Sequence, residues 1–187
     1  NPRYIAADLL SQAEHDTLAC SILLTPSQDI AEKVAVEVDK QLAKLSRNEI
    51  AKKSIESYGR IVVTETMEEA IDLANEIAPE HLELAVENPF DYLNKIRNAG
   101  AIFLGEYSPE PLGDYFAGPN HTLPTSGTAK FASPLSVDAF IKKSSVIYYT
   151  REALSSVKDK IIRIAESETL TAHANSIRVR FESDEDE

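Results

Sequence analysis

The sequence predicts an α/β protein with its strands in parallel. Two observations carry that prediction: short apolar or β-branched runs alternate with helical stretches of about ten residues or more, the pattern of βαβ units, and turn residues bound each run. A third sets the organisation. Beyond Gly105 the chain enters a Pro/Gly-rich stretch and then becomes helical to its end, so an α/β body at 1–135 is expected to carry a helical arm at 136–187.

Residues 2–16 place Ile5, Leu9, Leu10 and Ala13 at helical spacing, which leaves Asp8, Ser11, Gln12 and His15 on the other face. Residues 20–25 read as a buried strand that includes Cys20, and Pro26-Ser27 then opens an amphipathic helix over 30–45. A helix over 49–58 stops at Gly59, a β-branched strand follows at 60–64, and a helix runs over 66–77. Residues 82–86 read as a strand, and 101–104 as a buried one framed by Gly100 and Gly105. Residues 106–136 hold five prolines and three glycines and read as a long loop, ordered or not; loops of that length in compact domains are usually functional. A β-branched run at 146–150, a helix over 153–164 and a helical stretch from Thr171 complete the arm. Its end, Ser-Asp-Glu-Asp-Glu, reads as a solvated tail.

Composition excludes several function classes. With 187 residues, 43% of them hydrophobic, the chain has enough apolar mass for a substantial core. A net charge of −12 without a basic patch argues against nucleic acid, because neutralising phosphates takes clustered Lys and Arg. A single cysteine permits no internal disulfide and points to a reducing compartment. No stretch approaches the ~20 apolar residues of a membrane span, so a cytoplasmic protein is expected, with a plastid location left open. The chain opens on Asn1 and almost directly on a helix, as a fragment would. No G-x-G-x-x-G follows a strand and no Walker sequence occurs; Ser126-Gly127-Thr128-Ala129-Lys130 lacks the spacing and the preceding strand of a phosphate loop.

The chemistry concentrates at the four histidines, each close to a carboxylate or carboxamide. Gln12 and His15, three apart on one helix face, can converge on one point, although such pairs usually face water. Glu80-His81 follows Ala78-Pro79 and sets two proton-carrying groups side by side; a surface turn between helix and strand would carry the same residues. Asp114 and His121 bracket a glycine-containing bend, and His173 lies near Glu168 on what reads as an exposed terminal helix.

Four multi-residue motifs together resemble the histidinol dehydrogenases. They are Ala-Asp-Leu-Leu-Ser-Gln-Ala-Glu-His (7–15), Ala-Pro-Glu-His-Leu-Glu (78–83), Gly-Asp-Tyr (113–115) with Asn-His-Thr-Leu-Pro-Thr (120–125), and Leu-Thr-Ala-His (170–173), in the family's order and near its spacing. The resemblance spans the chain but covers only the carboxy-terminal part of the family. It implies an incomplete Rossmann-like parallel sheet flanked by helices, with a mostly helical C-terminal arm that crosses over in an intertwined homodimer. It also implies one zinc ion held by Gln12, His15, Asp114 and His173, a set that suits zinc but would also accept cobalt or manganese. Glu80 and His81 match the acid–base pair, and the substrate L-histidinol is implied to meet Gln12, His15, His81, Asp114, His121, Glu168 and His173. The implied reaction oxidises L-histidinol through histidinal to L-histidine with two NAD⁺, and the NAD-contacting region is expected outside this sequence. On that expectation the chain alone is inactive. Two other readings stay open from the residues: a metal-binding module or zinc-dependent hydrolase without redox activity, and a structural dimerisation piece that binds no metal.

Overall fold

In a computed structural model residues 1–182 are described; the acidic tail lies outside them. The chain divides into two compact units, Asn1–Ile141 and Lys142–Glu187. The first is α/β. It holds two parallel strand pairs, β1 (Ile22–Thr25) with β2 (Arg60–Val63) and β3 (His81–Leu84) with β4 (Ala101–Leu104). Helices α1 (Pro2–Ala13), α2 (Gln28–Leu42), α3 (Asn48–Tyr58) and α4 (Met67–Ile77) are set between and around them.

Three of these helices, α1, α2 and α4, start where the sequence supplies a side-chain cap, whereas α3 starts without one. Asn1 accepts a hydrogen bond from the Arg3 N–H at 3.1 Å with Pro2 pre-set in the first turn, and Ser27 and Thr66 cap α2 and α4 through Ile30 N and Glu69 N. Glu69 also returns its carboxylate to Glu65 N at 2.7 Å, fixing the entry to α4. Ala6 and Leu10 of α1 bury against Val34 and Val38 of α2 to make the core, with Leu23 of β1 and Ile55 of α3 at its margin. Ser21 Oγ donates to Leu9 O and Ser54 Oγ to Ala19 O, both at 2.8 Å, tying the segment before β1 to α1 and α3.

Two glycines matter for the site. Gly100 passes so close to the β3 entry that a Cβ would stand 2.5 Å from Glu80 O, and its N–H donates to Pro79 O. Gly113 lies in α6 (Glu110–Tyr115), where a Cβ would meet the Phe103 ring at 2.6 Å, so only glycine lets this helix settle on β4. Between β3 and β4, α5 (Phe90–Leu93) is a single turn, and Asn75 of α4 holds the segment after it with bonds to Lys95, Arg97 and Asn98.

Several boundaries differ from the sequence reading. Cys20 is exposed and precedes β1 rather than being buried in it, its Sγ 3.4 Å from Tyr58 O: β1 begins only at Ile22, where pairing with Arg60 starts. Helix α1 ends at Ala13, and His15 sits in the turn beyond, its N–H bonded to Gln12 O at 3.3 Å. The stretch over 106–136 is not a plain loop, since it contains α6 and a 3-10 turn at Thr128–Lys130. Residues 146–150 form no strand and are exposed.

The second unit is a helical pair. Thr150 caps α7 (Arg151–Ser167), Thr169 at φ 63° turns the chain back, and α8 (Thr171–Arg178) packs against α7 through buried Ala165 and Ala174. Arg178 pairs with Glu166, and Arg151 and Lys158 approach the Phe181 ring at 5.5 and 4.9 Å.

Candidate active site

The segment from α4 into β3 sets the site. Ala78 takes a left-handed conformation (φ 52°) at the end of α4, which no residue but glycine adopts freely, and Pro79 then directs Glu80 and His81 into β3. Glu80 and His81 line a cleft of about 740 Å³ that also takes in Gln12 of α1 and Glu110 of α6.

His81 is half-buried, its ring 6.0 Å from that of Phe103, and its Nε2 is buried without a hydrogen-bond partner among the described residues. Burial pulls its pKa below the ordinary histidine value, with His15 adding to the effect, while the charges of Glu80 and Asp114 oppose it. The ring is therefore neutral at neutral pH with a free nitrogen, the state of a proton acceptor.

Glu110 and Asp114 stand one helical turn apart on α6. Burial, then a hydrogen bond to Asp114, pushes Glu110 up to about 7, while Ser11 bonds to it and opposes the rise. His81, Glu110 and Asp114 offer ligand atoms all within 4.8 Å of one another, an arrangement able to hold a divalent cation. A further carboxyl pair lies alongside. Glu83 accepts from Glu110 N–H at 3.0 Å, and burial together with the Asp8 charge pushes it up to about 7; burial also raises Asp8.

Of the residues singled out in the sequence, Gln12, Glu80 and His81 meet in the cleft, and Asp114 joins His81 at ligand distance. His15 is close enough to influence His81. His121 is exposed in the segment after α6, and is not among the residues lining the cleft. Glu168, at the end of α7, and His173, in α8, are exposed and belong to the second unit. The sequence reading missed Glu110 and gave Glu83 no role. The signal for Glu110 was its i, i+4 spacing to Asp114, hidden because Glu-Pro-Leu-Gly-Asp reads as a loop.

Glu83 and Glu110, both raised to about 7, predict a pH dependence of stability. Unfolded, both titrate near 4.5; folded, near 7, so the folded chain holds more protons between these values and loses stability as pH rises from about 4.5 through about 7. Urea unfolding at pH 5 and pH 8 is expected to show the loss, and Glu83→Gln to flatten it; an unchanged slope in that variant would remove Glu83 from the account.

A parallel α/β unit whose cleft gathers a histidine with lowered pKa and carboxyls with raised pKa has the acid–base equipment of an enzyme. The chain belongs to the histidinol dehydrogenase family, whose model matches residues 1–181. It is 63% identical over 184 residues to the histidinol dehydrogenase of Caldanaerobacter subterraneus subsp. tengcongensis, covering 98% of this chain and 43% of that protein. It is 61% identical over 181 residues to that of Clostridium acetobutylicum, covering 97% and 42%. The crystal structure of histidinol dehydrogenase from Elizabethkingia anophelis superposes with a TM-score of 0.82 at 43% identity, over 96% of this chain and 41% of that one. The chain thus spans less than half the length of these relatives. Among the described residues no helix is long and apolar enough to cross a membrane.

Proposed function

We propose that this chain supplies the metal, substrate and acid–base residues of a zinc- and NAD-dependent histidinol dehydrogenase acting in histidine biosynthesis. The observation that carries the reading is His81: a neutral ring with an unpartnered buried Nε2, next to Glu80 at the cleft and within ligand distance of Asp114.

His81, Glu110 and Asp114 bring ligand atoms within 4.8 Å of one another, so the cleft carries donors that suit a zinc ion, and the motif match assigns the ion itself to Gln12, His15, Asp114 and His173, which would hold it. When bound, zinc would anchor the imidazole and amino group of L-histidinol. His81 Nε2 takes the hydroxyl proton as a hydride leaves the carbinol carbon for NAD⁺, giving histidinal. Glu80 accepts a proton from the water that adds to the aldehyde while protonated His81 returns its proton to the carbonyl oxygen, and the regenerated His81 then takes the hydrate's hydroxyl proton as a second hydride departs to a second NAD⁺, giving L-histidine. His121 and Glu168 would contact the substrate, as in the matching motifs. NAD⁺ would meet residues beyond this chain, and the arm of a second subunit would complete each site in a homodimer.

The trio His81, Glu110 and Asp114 favours one competing reading, a metal-binding module or hydrolase whose cation needs neither His15 nor His173. NAD⁺ reduction with L-histidinol, by this chain with and without the remainder of a relative, tests the oxidoreductase reading.

A further inference from the structure

Glu83 stands where the three elements that carry the site meet. It lies on β3 two residues after His81, so the two side chains leave the same face of the strand, and both line the cleft. One of its carboxyl oxygens accepts from Glu110 N–H at 3.0 Å, at the start of α6. Its carboxyl also lies within hydrogen-bonding reach of that of Asp8 on α1. Asp8 shares a helix face with Ser11 and Gln12, three and four residues on, and Ser11 in turn bonds to the Glu110 carboxyl. A single side chain on β3 thus reaches both α1 and α6.

Helix α6 needs such a tie. It has six residues, among them Pro111 and Gly113, so its own tendency to be helical is weak. Pro109 before it supplies no side-chain cap, and the Glu110 N–H, which has no partner within the helix, goes to Glu83 instead. Gly113 rests against the Phe103 ring of β4. That contact alone would leave α6 free to pivot on the ring. The second one, at Glu110, fixes its direction and with it the place of Asp114, one turn after Glu110 and next to Gly113. Asp114 is the residue shared by both cation arrangements, the set of Gln12, His15, Asp114 and His173 and the trio of His81, Glu110 and Asp114.

We infer that Glu83 is a positioning residue: by tying Glu110 and Asp8 to β3, it sets Asp114 at ligand distance from His81. Its part is to place other groups, and it is not itself a ligand. The inference rests on Asp114 binding metal, as in the proposed function, whichever of the two sets holds the ion. A glutamine at this position keeps an acceptor for Glu110 N–H and offers its amide N–H to Asp8, whereas an alanine removes both ties.

Amide hydrogen exchange of Glu110 and Asp114 is followed in the 187-residue chain, and cobalt(II), whose visible bands report ligand geometry, is titrated in as the probe metal. In Glu83→Ala the two amides are expected to exchange at least about 10-fold faster. Cobalt should bind about 10- to 100-fold more weakly, with altered visible bands. Glu83→Gln should match the unsubstituted chain on both readouts. Thr66→Ala, which removes the α4 cap, should lower the unfolding midpoint yet leave cobalt affinity in place, so a general loss of stability does not imitate the result. If the alanine variant does not fold, Glu83→Met, close in size and without either tie, takes its place with the same expectations. Unchanged exchange at Glu110 and Asp114 in the variant lacking both ties overturns the inference. So do cobalt affinity and bands that survive that change, and so does a Glu83→Gln chain as impaired as Glu83→Ala. An unsubstituted chain that binds no cobalt counts against both metal readings of the site, and the two amides then decide the role of Glu83.

Discussion

Replacing His81 with Ala in the completed enzyme is expected to lower kcat about 10²- to 10⁴-fold in both half-reactions, histidinol to histidinal and histidinal to histidine. Each half-reaction removes a hydroxyl proton as hydride departs, and the ring is placed for that by three features. It opens β3, it is held neutral by burial, and its Nε2 has no competing partner. Glu80→Gln should behave differently, because only the second half-reaction needs a hydrated aldehyde. Aldehyde formation, trapped as the semicarbazone, should fall less than NADH formation from added histidinal. Equal losses in the two steps would merge the roles assigned to Glu80 and His81.

The other large effect concerns the metal. His15→Ala is expected to weaken zinc binding in the assembled site by at least about 100-fold, more than the loss of an outer-shell partner typically costs, because a ligand itself is removed. If the arm is exchanged between subunits, His173 serves the site formed by Gln12, His15 and Asp114 of a second chain. A His15→Ala chain mixed with a His173→Ala chain would then form a heterodimer with one intact and one doubly damaged site. Half-site zinc content should return after subunit exchange. Defective metal binding at every site of a verified heterodimer would place the arm on its own body. Zinc content unchanged in His15→Ala alone would favour the trio of His81, Glu110 and Asp114 as the true cation site.

The sequence exposed most of the fold because most elements obey local rules. The alternation of strand and helix gave the class, the caps at Ser27 and Thr66 sit beside the helix starts, and the Gly-framed run over 101–104 coincides with β4. It failed where tertiary contacts override composition. Glu-Pro-Leu-Gly-Asp-Tyr is poor in helix formers, yet it forms α6 because Gly113 fits over Phe103 and Glu110 N–H bonds to Glu83. Cys20 looked buried by its apolar neighbours, but β1 begins only where pairing with β2 starts. Of the residues that line the cleft or stand beside His81, Gln12, Glu80, His81 and Asp114 could be named from motifs. Glu83 and Glu110 could not, since their raised pKa values come from burial and from neighbours distant in the chain.

The most direct test follows NADH formation at 340 nm with L-histidinol, NAD⁺ and zinc, using this chain alone and then with the remaining part of the Caldanaerobacter relative. The account predicts no NADH from the chain alone, NADH formation on adding the complement, and its loss when the chain carries His81→Ala. NADH production by the chain alone, or a stable zinc-loaded complex that stays inactive, would contradict it.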